Sequence, residues 1–419
     1  MKQTRIKTDN ASKLFPALIR GNRGYVFRVG AVLKNDIDGN ILREAVSSLA
    51  LRFPVMYSNL YKGFFDYYHI PATDFDVVSE LSNPPQYLPA VFDTQKPSFR
   101  IFYSGKKMYM DVFHANADGM AAITYIKSLI TRYFELKGYN PSRIDGILYI
   151  PDEPSKEELR DSYRDMYKRG KRLGRKESTA FALRTDRVDG LLRELCITVS
   201  IADVKSFTKQ KGLTITEYVI ALIYMAALSY YDVKKETLPI KLSIPIDLRQ
   251  IFPSKTLRNY ALYTNIELYP SKGYTFQEAA HEIKRQLKRG TDKDRLQAMA
   301  SSNVRLEKNI ILRIIPRAVK DKIMKKGYKI YGASKISASF SNLGMHALPP
   351  EIEGEAERFE MYLGSGGGGV NFSSAGFRDT LSICISMSGE DNKIKDTITD
   401  MLLSHGINSS CEEMRIIME

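Results

Sequence analysis

The chain has 419 residues, 43% of them hydrophobic and 26% charged, a balance that excludes a disordered protein and describes a folded one. That length exceeds what one hydrophobic core usually spans, so two domains of about 150–220 residues each are expected. A formal net charge of +14 favours an acidic partner, yet no zinc-finger, RRM or helix-turn-helix signature accompanies it, which argues against nucleic acid.

The first residues, "MKQTRIKTDNASKLF", are basic without an apolar h-region, so no signal peptide is expected. The longest apolar run, near 218–231, falls short of the roughly 18–20 residues of a transmembrane span, and a cytoplasmic location is the expectation. Cys196, Cys384 and Cys411 are odd in number and show no CxxC spacing, which predicts neither a disulfide framework nor a zinc site.

In chain order, 23–33 reads as a strand and Ile41 to Arg52 as an amphipathic helix. "FPVMYSNL" follows, then aromatic strand-like segments that include "GFFDYYHI". Residues 98–104 and 108–114 alternate around a glycine-containing turn and predict a hairpin. A helix follows from Met120 to about Leu136, with Asp118 placed to cap it. Residues 1–154 form a first domain on this reading, and 155–184, charged and poor in apolar periodicity, a basic linker or solvated helix. The second domain, 185–419, opens with a strand at 194–201, then a helix whose Thr214 and Glu217 fit a capping box. A strand at 238–249, a charged helix from Thr275, strand pairs at 335–346 and 369–388, and a helix near Asp391 complete it. Both halves mix strands and helices, as two α/β lobes do. Lys and Arg concentrate at 164–176, 284–294 and 317–329.

His114 stands where the second hairpin strand ends, on the Val112 face and opposite Phe113. A neutral imidazole there can accept a proton from a hydroxyl, amine or thiol. Asp118, four residues on, can orient it, pair with an arginine, or simply cap the helix. By pattern alone, a core histidine beside an N-cap aspartate is the better reading. The glycine-rich stretch 363–376 lacks a P-loop's Lys-Ser/Thr ending and reads as a flexible loop or hairpin; the role of 364–369 stays open. Ser373 and Cys384 carry no nucleophile signature. His69, His281, His346 and His405 have no partner at ligand spacing, so no metal site is expected.

The strand, His-x-x-x-Asp-Gly, helix arrangement at His114, Asp118 and Gly119 resembles the active-site motif of the CoA-dependent acyltransferase superfamily. That superfamily includes chloramphenicol acetyltransferase, alcohol acetyltransferases and nonribosomal peptide condensation domains. "LALRFPVMYSNL", "TITEYVIALIYMAAL", "IPIDLR" (244–249), Asn259 and "SFSNLG" (339–344) are similar to further family features and follow the family's order. The chain departs from the two-histidine form, having Phe113 before His114, and it has no Trp. Nearest in character are bacterial alcohol acetyltransferase-like proteins.

The resemblance implies an α/β (α+β sandwich) fold of two lobes, mixed sheets flanked by helices, with a tunnel between them. It implies direct acyl transfer from acyl-CoA, as co-substrate rather than bound cofactor, to a hydroxyl or amine of a small molecule. His114 would be the general base. Asp118, with Gly119, would be structural and paired with Arg249, while Ser341 and Asn342 would line the tunnel or polarise the carbonyl. A monomer is expected. The alternatives are a condensation-type enzyme fed by an acidic acyl carrier protein, and a non-catalytic binding protein on the same fold.

Overall fold

The computed structural model describes residues 5–19, 24–82, 91–92, 95–171, 177–186, 188, 190–331, 333–364 and 369–417. Positions 365–368 of the glycine-rich stretch and 172–176 of the first basic cluster lie outside the described residues. Among the described residues the strands form three sheets. A five-stranded sheet has the spatial order Ala356–Tyr362, Val26–Leu33, Lys107–Phe113, Phe99–Ser104, Val78–Glu80, antiparallel except for the last pair. A seven-stranded mixed sheet has the order Ala261–Leu268, Ile240–Asp247, Ala338–His346, Asn371–Phe377, Thr380–Met387, Leu191–Ser200, Ser409–Ile417. Its two parallel joints flank Ala338–His346. A small antiparallel sheet joins Ile6–Lys7, Tyr67–Pro71 and Ser58–Lys62.

Alternation in the strands decides which face each sheet buries. Phe27, Val29 and Ala31, with Met108, Met110 and Val112, pack against Ile123, Ile126 and Leu129 of the helix Gly119–Leu136. Each such side chain, fully buried, contributes about 1.5–3 kcal/mol. In the second core, Leu195, Ile197 and Val199 pack with the helix Ile215–Leu228, where the Thr214–Glu217 capping box forms as its spacing predicts. That helix carries the longest apolar run, and its burial accounts for the run's composition. No single helix among the described residues is long and apolar enough to cross a membrane.

The opposite faces of the two large sheets meet, and there charged pairs are set among apolar side chains, Phe102, Tyr109 and Tyr362 from one sheet and Cys196 and Cys384 from the other. The buried Arg28 bonds Asp111 (2.8 Å) from the neighbouring strand and Glu194 (2.6 Å) from the other sheet, and lies over the Phe102 ring. Arg100 takes the second oxygen of Asp111 at 2.8 Å. Beside them Glu360 accepts from Tyr109 (2.6 Å) and from Arg358 (2.7 Å). Burial pushes the Glu194 carboxyl up to about 7, against the pull of Arg28.

Several expectations change. The helix expected at Ile41–Arg52 runs Gly39–Ser48, because the Asp38 carboxylate accepts from the N–H groups of Asn40 and Ile41 and so starts it early. Arg52 then lies in a turn and forks onto Glu158 at 2.6 and 3.0 Å. The stretch 155–184 is not simply solvated: Tyr163 and Met166 are buried with Tyr260, Leu296 and Met299. Nor do residues 185–419 stay with one sheet, since Ala356–Tyr362 crosses to pair with Val26–Leu33. Three helices at Lys293–Lys308, Ile310–Ile314 and Arg317–Tyr331, and the strand Ser409–Ile417, add to the predicted elements.

The inter-sheet carboxyl has a measurable consequence. A group held protonated up to about pH 7 when folded, against 4.5 ordinarily, stabilises fully below 4.5 and loses that contribution as pH rises through 7. The stability advantage of the wild type over Glu194→Gln should therefore decline across that window by up to about 3 kcal/mol. Urea unfolding of both proteins from pH 4.5 to 8 measures it, and a flat difference contradicts the assignment.

Candidate active site

The strand Lys107–Phe113 ends one residue before His114, whose backbone N–H still donates to the Tyr25 carbonyl at 2.8 Å. The imidazole stacks on Phe15 (centroids 4.3 Å apart, planes 18° apart) and meets Phe27 edge-on at 4.9 Å. Two aromatic neighbours fix the ring plane. Its rotation in that plane is set from far away in sequence, because Nδ1 lies 3.1 Å from Oδ1 of Asn259. The Asn259 amide nitrogen donates to Ser12 Oγ and to the His114 carbonyl, each at 3.0 Å, so its oxygen can only accept. Nδ1 therefore carries the proton and Nε2 the lone pair. Burial holds the imidazole below its ordinary value of 6.5, against the raising pull of Asp118, so it is neutral at pH 7. A neutral histidine with its Nε2 lone pair free is a base in waiting.

Asp118 does not touch the imidazole in any hydrogen bond of the structure. Its Oδ1 caps the helix Gly119–Leu136 by accepting from the Ala121 N–H, and its Oδ2 accepts from the Tyr260 N–H and from Arg249, each at 2.9 Å. Arg249 spends the rest of its fork on Asp247 (2.8 Å) and on the carbonyls of Thr256 and Arg258 (2.9 and 2.8 Å). Burial works against its charge, but Asp118 and Asp247 outweigh that and hold the guanidinium above its ordinary pKa. The loop 256–260 is thus clamped from both sides, and the same loop presents Asn259 to His114. The N-terminal segment closes the arrangement: Asp9 accepts from Ser12 and pairs with Arg258 at 3.4 Å.

Gly119 begins the helix where a Cβ would come within 3.0 Å of Leu343 and 3.3 Å of Met361. This close approach brings the helix start against the strand that carries Ser341 and Asn342. Ser341 sits in register with Ser373. The Asn342 carboxamide accepts from the Gly344 N–H (2.9 Å) and Ser374 (3.1 Å) and donates one proton to Thr216 (2.8 Å), which leaves one amide proton for a ligand. The other histidines are elsewhere: His69 bonds Ser58, His405 stacks on Phe207 and bonds Tyr218, His281 meets Gln277, and His346 is buried beside Phe359. Cys384 faces Cys196 across the sheet, 3.9 Å between sulfurs, remote from His114 in the fold. Sequence reasoning picked out Asn259 only by its place in a family pattern. It missed Ser12, Phe15 and Tyr25, which carry no local signature and reach the site by tertiary packing alone.

Truncating either end of the Asp118–Arg249 pair should cost heavily. Asp118→Ala removes a helix cap, orphans the Tyr260 N–H and strips a buried cation of one carboxylate, together about 3–5 kcal/mol. Because Arg249→Ala breaks the same bonds, the double variant should lose well under the sum of the two singles in urea unfolding. Additive losses would show that the two side chains act separately.

No protein-family model matches the chain, and no curated protein matches it by sequence. Solved structures do match over nearly its full length. Polyketide synthase associated protein 5 from Mycobacterium tuberculosis is 16% identical with a TM-score of 0.61, covering 96% of this chain and 98% of that one. A trichothecene 15-O-acetyltransferase from Fusarium sporotrichioides is 12% identical, TM-score 0.62, over 96% and 95% of the two chains. The F. graminearum protein TRI101, solved with coenzyme A and T-2 mycotoxin, is 12% identical, TM-score 0.58, over 96% and 97%. These full-length matches show that the chain has the two-lobed, chloramphenicol acetyltransferase-like fold of those neighbours.

Proposed function

We propose that the chain is an acyltransferase that moves an acyl group from an acyl-CoA thioester to a hydroxyl of a small-molecule acceptor, with His114 as general base. One observation carries the reading: a neutral imidazole, held at Nδ1 by Asn259, with Nε2 unprotonated at a strand end. Support also comes from fold neighbours whose names specify O-acetyl transfer and bound coenzyme A.

The chemistry needs one shuttled proton. Nε2 of His114 takes the acceptor's hydroxyl proton as the oxygen attacks the thioester carbonyl carbon. The tetrahedral intermediate collapses, the C–S bond breaks, and the departing thiolate receives that proton from His114. No acyl-enzyme forms and no further base is consumed. Asn342, through its remaining amide proton, and Ser341 are our candidates for stabilising the oxyanion. Asp118 and Arg249 serve as positioning residues because they hold the loop that presents Asn259, and Gly119 because it lets the helix start close on Leu343.

Purified protein given acetyl-CoA or a longer acyl-CoA with a panel of alcohols should release free thiol, read with a thiol reagent, and form the ester, read by mass. His114→Ala should lower kcat by about 10²–10⁴-fold while the protein stays folded; unchanged turnover would falsify the mechanism.

The pH profile gives a second test. Since protonated His114 cannot act as base and burial lowers its pKa, kcat/KM should stay flat from pH 8 to below 6.5 before falling. Asn259→Asp puts a carboxylate at Nδ1, so the acidic limb should move upward by about 1 unit or more. An unmoved limb would mean that another group titrates.

A further inference from the structure

The helix Ile310–Ile314 has the sequence IILRI and buries none of its five residues. Ile310 and Ile311 are 72% and 70% exposed, and Ile314 and the preceding Leu306 are nearly as open. The ridge is nonetheless built, because the Asn309 side chain caps it by accepting from the N–H groups of Ile311 and Leu312. Next to it lies the hairpin tip after Ser58–Lys62, where Phe64 is 72% exposed and Phe65 half-exposed. The two are joined by bonds: Arg317 donates its backbone N–H to the Phe64 carbonyl at 2.8 Å, and Lys320 reaches the carbonyls of both Phe65 (3.0 Å) and Arg313 (3.2 Å). Val319 and Ile323 on the helix Arg317–Tyr331 extend the open apolar surface. Apart from the edge-on contact of Phe64 with Phe65, these side chains stay open to solvent among the described residues.

Charge specifies what covers them. Residues 305–326 hold eight Lys and Arg against two acids, and both acids are neutralised within the fold. Glu307 pairs with Lys13 and Arg164, and Asp321 with Arg317. Lys322, Lys325 and Lys326 point to solvent. Bulky aliphatic and aromatic side chains ringed by unneutralised cations match the interface of a bilayer with anionic headgroups, where the apolar groups enter the acyl boundary and the cations meet the phosphates. We propose that this face docks the protein peripherally on anionic lipid bilayers.

The same helix leads to the site. The short helix Leu14–Ala17 packs on it and carries Phe15, the ring stacked on His114. Tyr25, whose carbonyl holds the His114 backbone, meets Tyr328 edge-on at 6.0 Å. This continuity joins the docking face to the residues packed around His114.

The test is sedimentation of the full chain with vesicles of phosphatidylglycerol and phosphatidylcholine against phosphatidylcholine alone. Binding should require the anionic lipid and fall several-fold between 0.1 and 0.5 M salt, as screening shortens. The triple variant I310S/I311S/I314S should bind at least about 10-fold less while keeping the wild-type melting temperature and its turnover of a short, soluble acyl-CoA. K322Q/K325Q/K326Q should lose the preference for anionic lipid. Wild-type protein left in the supernatant, or a triple variant that binds as well, overturns the proposal. Salt-sensitive binding to a phosphopantetheinylated acyl carrier protein without vesicle binding, or a dimer abolished by the triple variant, assigns the face to another occupant and also overturns it. Vesicle binding is read without catalysis, so its outcome stands apart from that of the acyl-transfer assays.

Discussion

Oδ2 of Asp118 accepts two hydrogen bonds at 2.9 Å, one from a guanidinium and one from a backbone amide, and both donors belong to the other half of the chain. The catalytic-looking histidine depends on that junction without touching it. Arg249 fixes the turn after the strand Ile240–Asp247, the turn fixes the loop 256–260, and the loop fixes Asn259. An aspartate suits this post because its two oxygens serve two different structures at once: Oδ1 ends a helix while Oδ2 ties the halves. Asparagine offers a single acceptor oxygen, and glutamate would carry the carboxylate one carbon away from the helix start. The residue beside the histidine in the motif is thus explained by what it joins rather than by proton transfer.

The surface between the two large sheets follows a different rule from either core. Each sheet buries hydrocarbon against helices, whereas between the sheets Arg28, Asp111, Glu194 and Glu360 are set among the buried Phe102, Tyr109, Tyr362, Cys196 and Cys384. Buried ion pairs give little net stability because desolvation consumes most of the attraction. They do penalise any misalignment steeply, since a shift of one residue strands an unpaired charge. The strand Ala356–Tyr362 supports the same end by covalent means: it leaves the second half, pairs with the first sheet, and returns.

Much of this was legible in the residues, and what was not has a common cause. The hairpin ending at His114, the helix from Gly119 and the capping box at Thr214 are written in local alternation and cap chemistry, so they could be read directly. The pairing of Asp118 with Arg249 was expected only through resemblance, because nothing across a separation of 131 positions marks two side chains as neighbours. The partner of the imidazole is a similar case, as Asn259 is an ordinary loop residue until the fold delivers it. The crossing strand Ala356–Tyr362 escaped notice for a sharper reason. Its alternation of Arg358, Glu360 and Tyr362 with Phe359 and Met361 reads as a half-exposed strand, yet both faces are buried because Glu360 is met by Tyr109, Arg358 and Tyr362 within its own sheet and Arg358 by Glu412 of the opposing one. Pattern reading assumes that charge means water, and that assumption fails wherever a fold supplies the counter-charge.

The choice of an amide at Nδ1 bears on how hard the histidine can pull. A carboxylate in that position would stabilise imidazolium and make a stronger base that is more readily lost to protonation. Burial lowers the pKa, and Asn259, which orients the ring and fixes its tautomer without adding charge, pulls it up only through its hydrogen bond. A weaker base is the better match for a two-way shuttle. On the proposed acyl transfer the proton would move onto Nε2 as the acceptor attacks and off again to a departing thiolate, whose conjugate acid lies near 8.5. An imidazolium held too tightly would accept the first transfer and stall the second. In that scheme a neutral clamp on Nδ1 leaves the second transfer, from imidazolium to thiolate, downhill, and Asn259 supplies that clamp at residue 114.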